Sequence, residues 1–144
     1  MTRVSIPTVR GPMPGYFAEP PGVGSASGVV VVHDVVGMSS DLQRQVEWLA
    51  GEGFLAVAPD LFHWSGHARC LLASARDYLR RRGRIFDDIE AARGWLDVQA
   101  RCSGRIAVLG FCFGGAFALA LAPGHGFDAA SANYGSLPKD AERY

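Results

Sequence analysis

The chain has 144 residues, 49% of them hydrophobic, with 14 Lys and Arg against 14 Asp and Glu. At that size one core burying roughly 70% of the unfolded surface is expected, hence a single domain over residues 1–144. A net charge of zero leaves no field to gather nucleic acid or an anionic membrane surface, and neither partner is expected.

The opening residues Met1-Thr2-Arg3-Val4-Ser5-Ile6-Pro7 hold no signal-peptide core, and no stretch approaches about eighteen consecutive apolar residues. A cytoplasmic protein is the resulting expectation. Cys70, Cys102 and Cys112 are odd in number and lack C-x-x-C spacing, which speaks against a disulfide scaffold or a zinc site.

Residues 2–9 and 15–19 read as two short strands, with Gly11-Pro12-Met13-Pro14 as the hairpin connection between them. A Pro-, Gly- and Ser-rich loop over residues 20–28 leads into Val29-Val30-Val31-Val32. Such unbroken β-branched runs mark strands buried on both faces of a parallel sheet. Leu42, Val46, Leu49 and Ala50 then fall at helical spacing, with Ser40 and Gln43 as a capping box, and Gly51 and Gly53 stop the helix. Residues 54–58 form the next strand, followed by a loop with His63, Trp64 and His67.

An arginine-rich helix is expected over residues 72–82, where Arg80, Arg81, Arg82 and Arg84 suit a solvated C-terminal turn. A second helix starts near Ile85, with Ile85, Ile89, Ala92 and Leu96 on one face and Asp87, Asp88 and Glu90 favouring its N-terminal end. Residues 105–109 make a strand, residues 116–122 an apolar helix, and residues 129–134 the last strand. After the hairpin the order is β-α-β-α-β-α-β, and right-handed crossovers build from it a mostly parallel sheet with helices on both faces, a doubly wound α/β architecture.

Between the strand at 105–109 and the helix that follows stands Gly110-Phe111-Cys112-Phe113-Gly114-Gly115. Gly110-x-Cys112-x-Gly114 has the spacing of a nucleophile elbow with cysteine in the place of serine. The glycines are expected because a Cβ two residues to either side of the nucleophile would strike the neighbouring strand and helix. At the helix start, unpaired N–H groups favour a thiolate, and the Phe113 N–H can donate to an oxyanion. The dinucleotide fingerprint G-x-G-x-x-G fails here, because Cys112 occupies the glycine that lets backbone approach a pyrophosphate.

Val29-Val30-Val31-Val32-His33-Asp34-Val35-Val36-Gly37, then Ala58-Pro59-Asp60-Leu61-Phe62, then the glycine-flanked Cys112 segment together resemble dienelactone hydrolases, in that family's order and over nearly the whole chain. The resemblance implies an α/β-hydrolase fold and a hydrolase of small esters or lactones that needs no metal and no organic cofactor. It implies Cys112 as the nucleophile and Asp34, one methylene shorter than the family's usual glutamate, as the acid that contacts the cysteine and helps set its protonation state. The Val35 N–H, opposite Phe113, is the implied second oxyanion donor.

An α/β-hydrolase takes its triad in the order nucleophile, acid, histidine, and the residues after Cys112 run only to Tyr144. Downstream, His125 lies beyond a helix of about ten residues, roughly 15 Å from the sulfur, which excludes it as the base. Asp128 and Asp140 then have no histidine to orient. His33, His63 and His67 stand near the same sheet edge without an assigned role. The expectation is therefore an α/β-hydrolase domain lacking its C-terminal strands and helices and nearly inactive alone, or else a non-catalytic module that self-associates through the exposed edge strand at 129–134.

Overall fold

The computed structural model describes residues 1–134; Asp140 and Tyr144 lie outside the described residues. Strands β1 (Thr2–Thr8), β2 (Gly11–Ala18), β3 (Ala26–Val32), β4 (Leu55–Pro59), β5 (Cys102–Phe111) and β6 (Ala129–Asn133) alternate with helices α1 (Ser40–Gly51), α2 (His67–Arg80), α3 (Arg84–Asp97) and α4 (Phe113–Leu121). They form one sheet of order β1-β2-β4-β3-β5-β6. β4, β3, β5 and β6 run parallel, while β2 joins β4 and β1 antiparallel. This is the doubly wound, mostly parallel α/β arrangement that the element order implies.

The valine run of β3 shows how the sheet is buried. Val30 and Val32 enter one core with Leu55, Val57, Val108 and the inner faces of α3 and α4, whereas Val29 and Val31 enter a second core against α1. Alternate residues of one strand thus serve opposite faces, and all four are nearly or wholly buried.

The hairpin differs from its sequence reading. Gly11, Pro12, Met13 and Pro14 are inside β2 rather than in the turn, which falls at Val9-Arg10. Thr8 Oγ1 closes that turn, donating to Gly11 O at 2.8 Å and accepting from Arg10 N at 3.2 Å. Pro12 sits opposite Pro7, a pairing with no N–H on either side, so both ring nitrogens point away from the partner strand. β4 pairs with β2 only from Gly15 onward, and no donor is missed.

Several boundaries shift as well. The cap of α1 is Ser39, whose Oγ accepts from Leu42 N at 3.1 Å, one residue before the expected Ser40. α2 begins at His67 and ends at Arg80, so His67 is helical and the arginine cluster is split. Arg81 is the left-handed cap of α2, and Arg84 opens α3 with its Nη2 buried. Asp88 is not a solvated dipole partner: it is buried, takes Arg10 Nη2 on both carboxylate oxygens, and accepts from Trp64 Nε1 at 3.0 Å. Arg10 also lies over the Trp64 ring at 4.6 Å, so this trio ties the β1–β2 turn to α3.

Candidate active site

The last residues of β5 lead through Cys112 directly into α4. Cys112 has φ 51 and ψ −113, a backbone conformation that costs a non-glycine residue about 1–3 kcal/mol and persists only where its surroundings enforce it. The enforcing contacts are identifiable. Cys112 N donates to Asn133 O of β6 at 2.9 Å. A Cβ on Gly110 would stand 2.0 Å from Gly114 O, and one on Gly114 would stand 2.2 Å from Val32 O. The two glycines let strand, turn and helix touch backbone to backbone, the steric role their spacing predicts.

Cys112 is exposed, in contrast to buried Cys70 and half-buried Cys102. It opens on a cavity of about 400 Å³. One wall is the face of α2 bearing Leu71, Ala75, Tyr78 and Leu79; the other is α4, with Phe113, Ala116 and Phe117, and Tyr134 stands at the end of β6. Phe113 and Phe117 pack at 4.8 Å between centroids, and Tyr78 meets Phe117 edge-on at 5.5 Å. The α2 wall was legible as a helical stripe at 71, 75, 78 and 79. Reading that helix as merely polar and arginine-rich hid it, and nothing local marks Tyr134.

Phe113 is the first residue of α4, where an N–H has no acceptor within the helix. Val35 lies in the loop after β3 and is partly exposed; among the described residues its N–H makes no hydrogen bond. Asp34 is half-buried and turns back on its own loop, its Oδ1 accepting from Val36 N at 2.8 Å. It borders a second, narrow groove shared with Ser39, Asp41, Phe111 and Tyr134. Among the described residues no hydrogen bond joins Asp34 to Cys112.

The histidines separate clearly. His33 is fully buried, with Nδ1 2.7 Å from Asp34 O and Nε2 accepting from Leu61 N at 3.2 Å. A backbone acceptor on one nitrogen and a donor on the other fix the neutral Nδ1–H tautomer, and burial lowers its pKa below the ordinary 6.5. Both nitrogens are committed, so His33 is a structural tie. His63 is exposed beside Trp64, and His67 is exposed with its ring against Phe62 at 4.8 Å. His125, past the far end of α4, pairs with Glu90. Asp128 Oδ2 accepts from Ile106 N at 2.7 Å, holding β6 in register with β5. Among the described residues no three His, Cys, Asp or Glu side chains gather to hold a metal ion.

The family model for dienelactone hydrolases matches residues 13–144. The chain belongs to the dienelactone hydrolase family. It is 31% identical over 128 residues to carboxymethylenebutenolidase 1 of Cupriavidus pinatubonensis, covering 83% of this chain and 55% of that protein. It is 27% identical over 141 residues to carboxymethylenebutenolidase of Pseudomonas putida, covering 92% and 60% respectively. A dienelactone hydrolase-like promiscuous phosphotriesterase, P91, from metagenomic libraries superposes with a TM-score of 0.80 at 26% identity, over 94% of this chain and 59% of its own. This dienelactone hydrolase family member thus spans little more than half the length of the curated relatives it matches. No helix among its described residues is long and apolar enough to cross a membrane.

Proposed function

We propose that Cys112 is the nucleophile of a hydrolase acting on small esters or lactones, with the Val35 and Phe113 N–H groups as oxyanion donors. The observation that carries this reading is the strained backbone of Cys112, φ 51 and ψ −113, on a glycine-bracketed turn that opens the thiol to a cavity. Strain at a non-glycine residue is retained where function needs it. In the reaction Sγ bonds to the carbonyl carbon, the donors hold the oxyanion, and the alkoxide departs with a proton. Water then cleaves the thioester, releasing the acid and restoring the thiol.

The thiol proton needs an acceptor. His33 is committed to backbone on both nitrogens and His125 lies past the far end of α4. His63 and His67 are exposed, on the loop after β4 and at the start of α2, and among the described residues no hydrogen bond joins either to Cys112, so this reading assigns no base among them. Asp34 is proposed to act on Cys112 through an intervening water, its Oδ1 being taken by Val36. Without a base beside the thiol, acylation is expected to be slow and turnover several orders of magnitude below that of a complete triad.

Incubation with p-nitrophenyl acetate, followed by peptide mass spectrometry, tests the assignment. Acetylation at Cys112, absent from Cys112→Ala, is expected; equal p-nitrophenolate release by Cys112→Ala would overturn it. A second reading, self-association through β6, draws on that strand's position at the sheet edge with Ala129, Ala130 and Ser131 exposed. It predicts a dimer or larger species in size-exclusion chromatography, and a concentration-independent monomer excludes it.

A further inference from the structure

We infer that the cavity beside Cys112 takes the neutral, apolar portion of an ester, an aromatic or medium-chain aliphatic group, and discriminates against a carboxylate. The inference rests on Cys112 being the nucleophile and goes beyond it to the kind of ester. Among the described residues the lining carries no charged side chain. It is built instead from Leu71, Ala75 and Leu79 on α2 facing Phe113 and Phe117 on α4. At about 400 Å³ it lies within the range of roughly 300–1,000 Å³ usual for small-molecule sites, and an acetyl group leaves most of it empty.

Charge on a bound group would be poorly received. A carboxylate entering these walls sheds its water without gaining a cation. The groove that shares Tyr134 with this cavity is bordered by Asp34 and Asp41, and among the described residues its lining brings no cation. The arginines of α2, Arg69, Arg76 and Arg80, are not among the residues that line the cavity, and Arg76 leans toward Asp77 at 3.5 Å. The curated relatives are named for a carboxymethylenebutenolide, and the inference assigns this cavity a different preference.

Maleimide alkylation reads the pocket without requiring acyl transfer, since the thiolate alone forms the S–C bond and the ring carbon takes a proton from water. The full chain is treated with N-methyl, N-butyl, N-hexyl, N-benzyl and N-carboxyalkyl maleimides, and modification of Cys112 is followed by peptide mass spectrometry against half-buried Cys102 as internal reference. The Cys112/Cys102 rate ratio is expected to rise about threefold per added methylene until the cavity fills. The carboxyalkyl reagent is expected to lag its alkyl counterpart by about tenfold or more.

Leu79→Lys, at a rim position 83% exposed, should narrow that gap by bringing a cation to the mouth. A flat ladder, or faster reaction with the carboxyalkyl reagent in the unaltered chain, overturns the inference. Loss of acetylation with the ladder intact removes the nucleophile reading alone, whereas acetylation with a flat ladder removes the pocket assignment alone.

Discussion

His33 and Leu61, 28 residues apart in sequence, are joined inside the protein by a hydrogen bond of 3.2 Å from the Leu61 N–H to the ring Nε2. The bond fastens the loop after β3, which carries Asp34 and Val35, to the turn after β4. A histidine that follows a strand near Cys112 invites a catalytic reading, yet here its ring holds the loop of Asp34 and Val35 in place. His33→Ala leaves a buried N–H without a partner and should destabilise the chain by about 2 kcal/mol or more, as measured by urea unfolding.

The same residue sets a pH dependence. Burial, the largest cause, lowers the His33 pKa below 6.5 despite opposing contributions from the Asp34 carbonyl and the Asp60 and Asp34 carboxylates. The unfolded chain therefore binds a proton at higher pH than the folded one. Its contribution to stability is whole above about pH 6.5 and declines as pH falls from there toward the folded value. Thermal midpoints between about pH 7.5 and 5 should fall for the wild type and fall less for His33→Ala; parallel curves would exclude the assignment.

Asp88 behaves in the opposite sense. Desolvation raises its pKa above 3.8 in spite of Arg10 and Trp64. Its folded-state contribution is greatest below the unfolded value and diminishes as pH rises through the folded one. Asp88→Asn keeps an acceptor for Trp64 Nε1 without a buried charge and should cost under about 1 kcal/mol. Asp88→Ala strips the partner from Arg10 and Trp64 and should cost about 3 kcal/mol. Chemical denaturation of both variants measures the difference.

Glycine at the elbow is a steric requirement, whereas Gly94 in α3 is not. Gly114→Ala drives a Cβ to 2.2 Å from Val32 O and should lower stability by about 3 kcal/mol while slowing Cys112 alkylation. Gly94→Ala, at an exposed site inside α3 with open space around its Cβ, should raise stability by about 1 kcal/mol. Calorimetry on the pair checks both signs.

Strain at Cys112, the proposed nucleophile, predicts a trade of reactivity for stability. Cys112→Gly relieves the positive φ and should be about 1 kcal/mol more stable than Cys112→Ala, which keeps the Cβ. Equal stability of the two variants would show that the turn is not strained.

Local chemistry in the sequence was enough to place the strands around Val29 to Val32 and the elbow at Cys112. A four-residue β-branched run has one favourable burial, and three glycines around a cysteine at a strand-to-helix junction have a steric reason for being there. The hairpin was misplaced because prolines signal turns by default, and only pairing of Pro12 with Pro7 makes them harmless in a strand. Asp88 and His33 were equally opaque: whether a polar side chain faces solvent or a buried partner depends on Arg10, Trp64 and Leu61, which are distant in sequence. The apolar cavity, too, exists only because α2 and α4 pass close to one another. Periodicity fixes which side chains share a face, but long-range packing decides what that face meets.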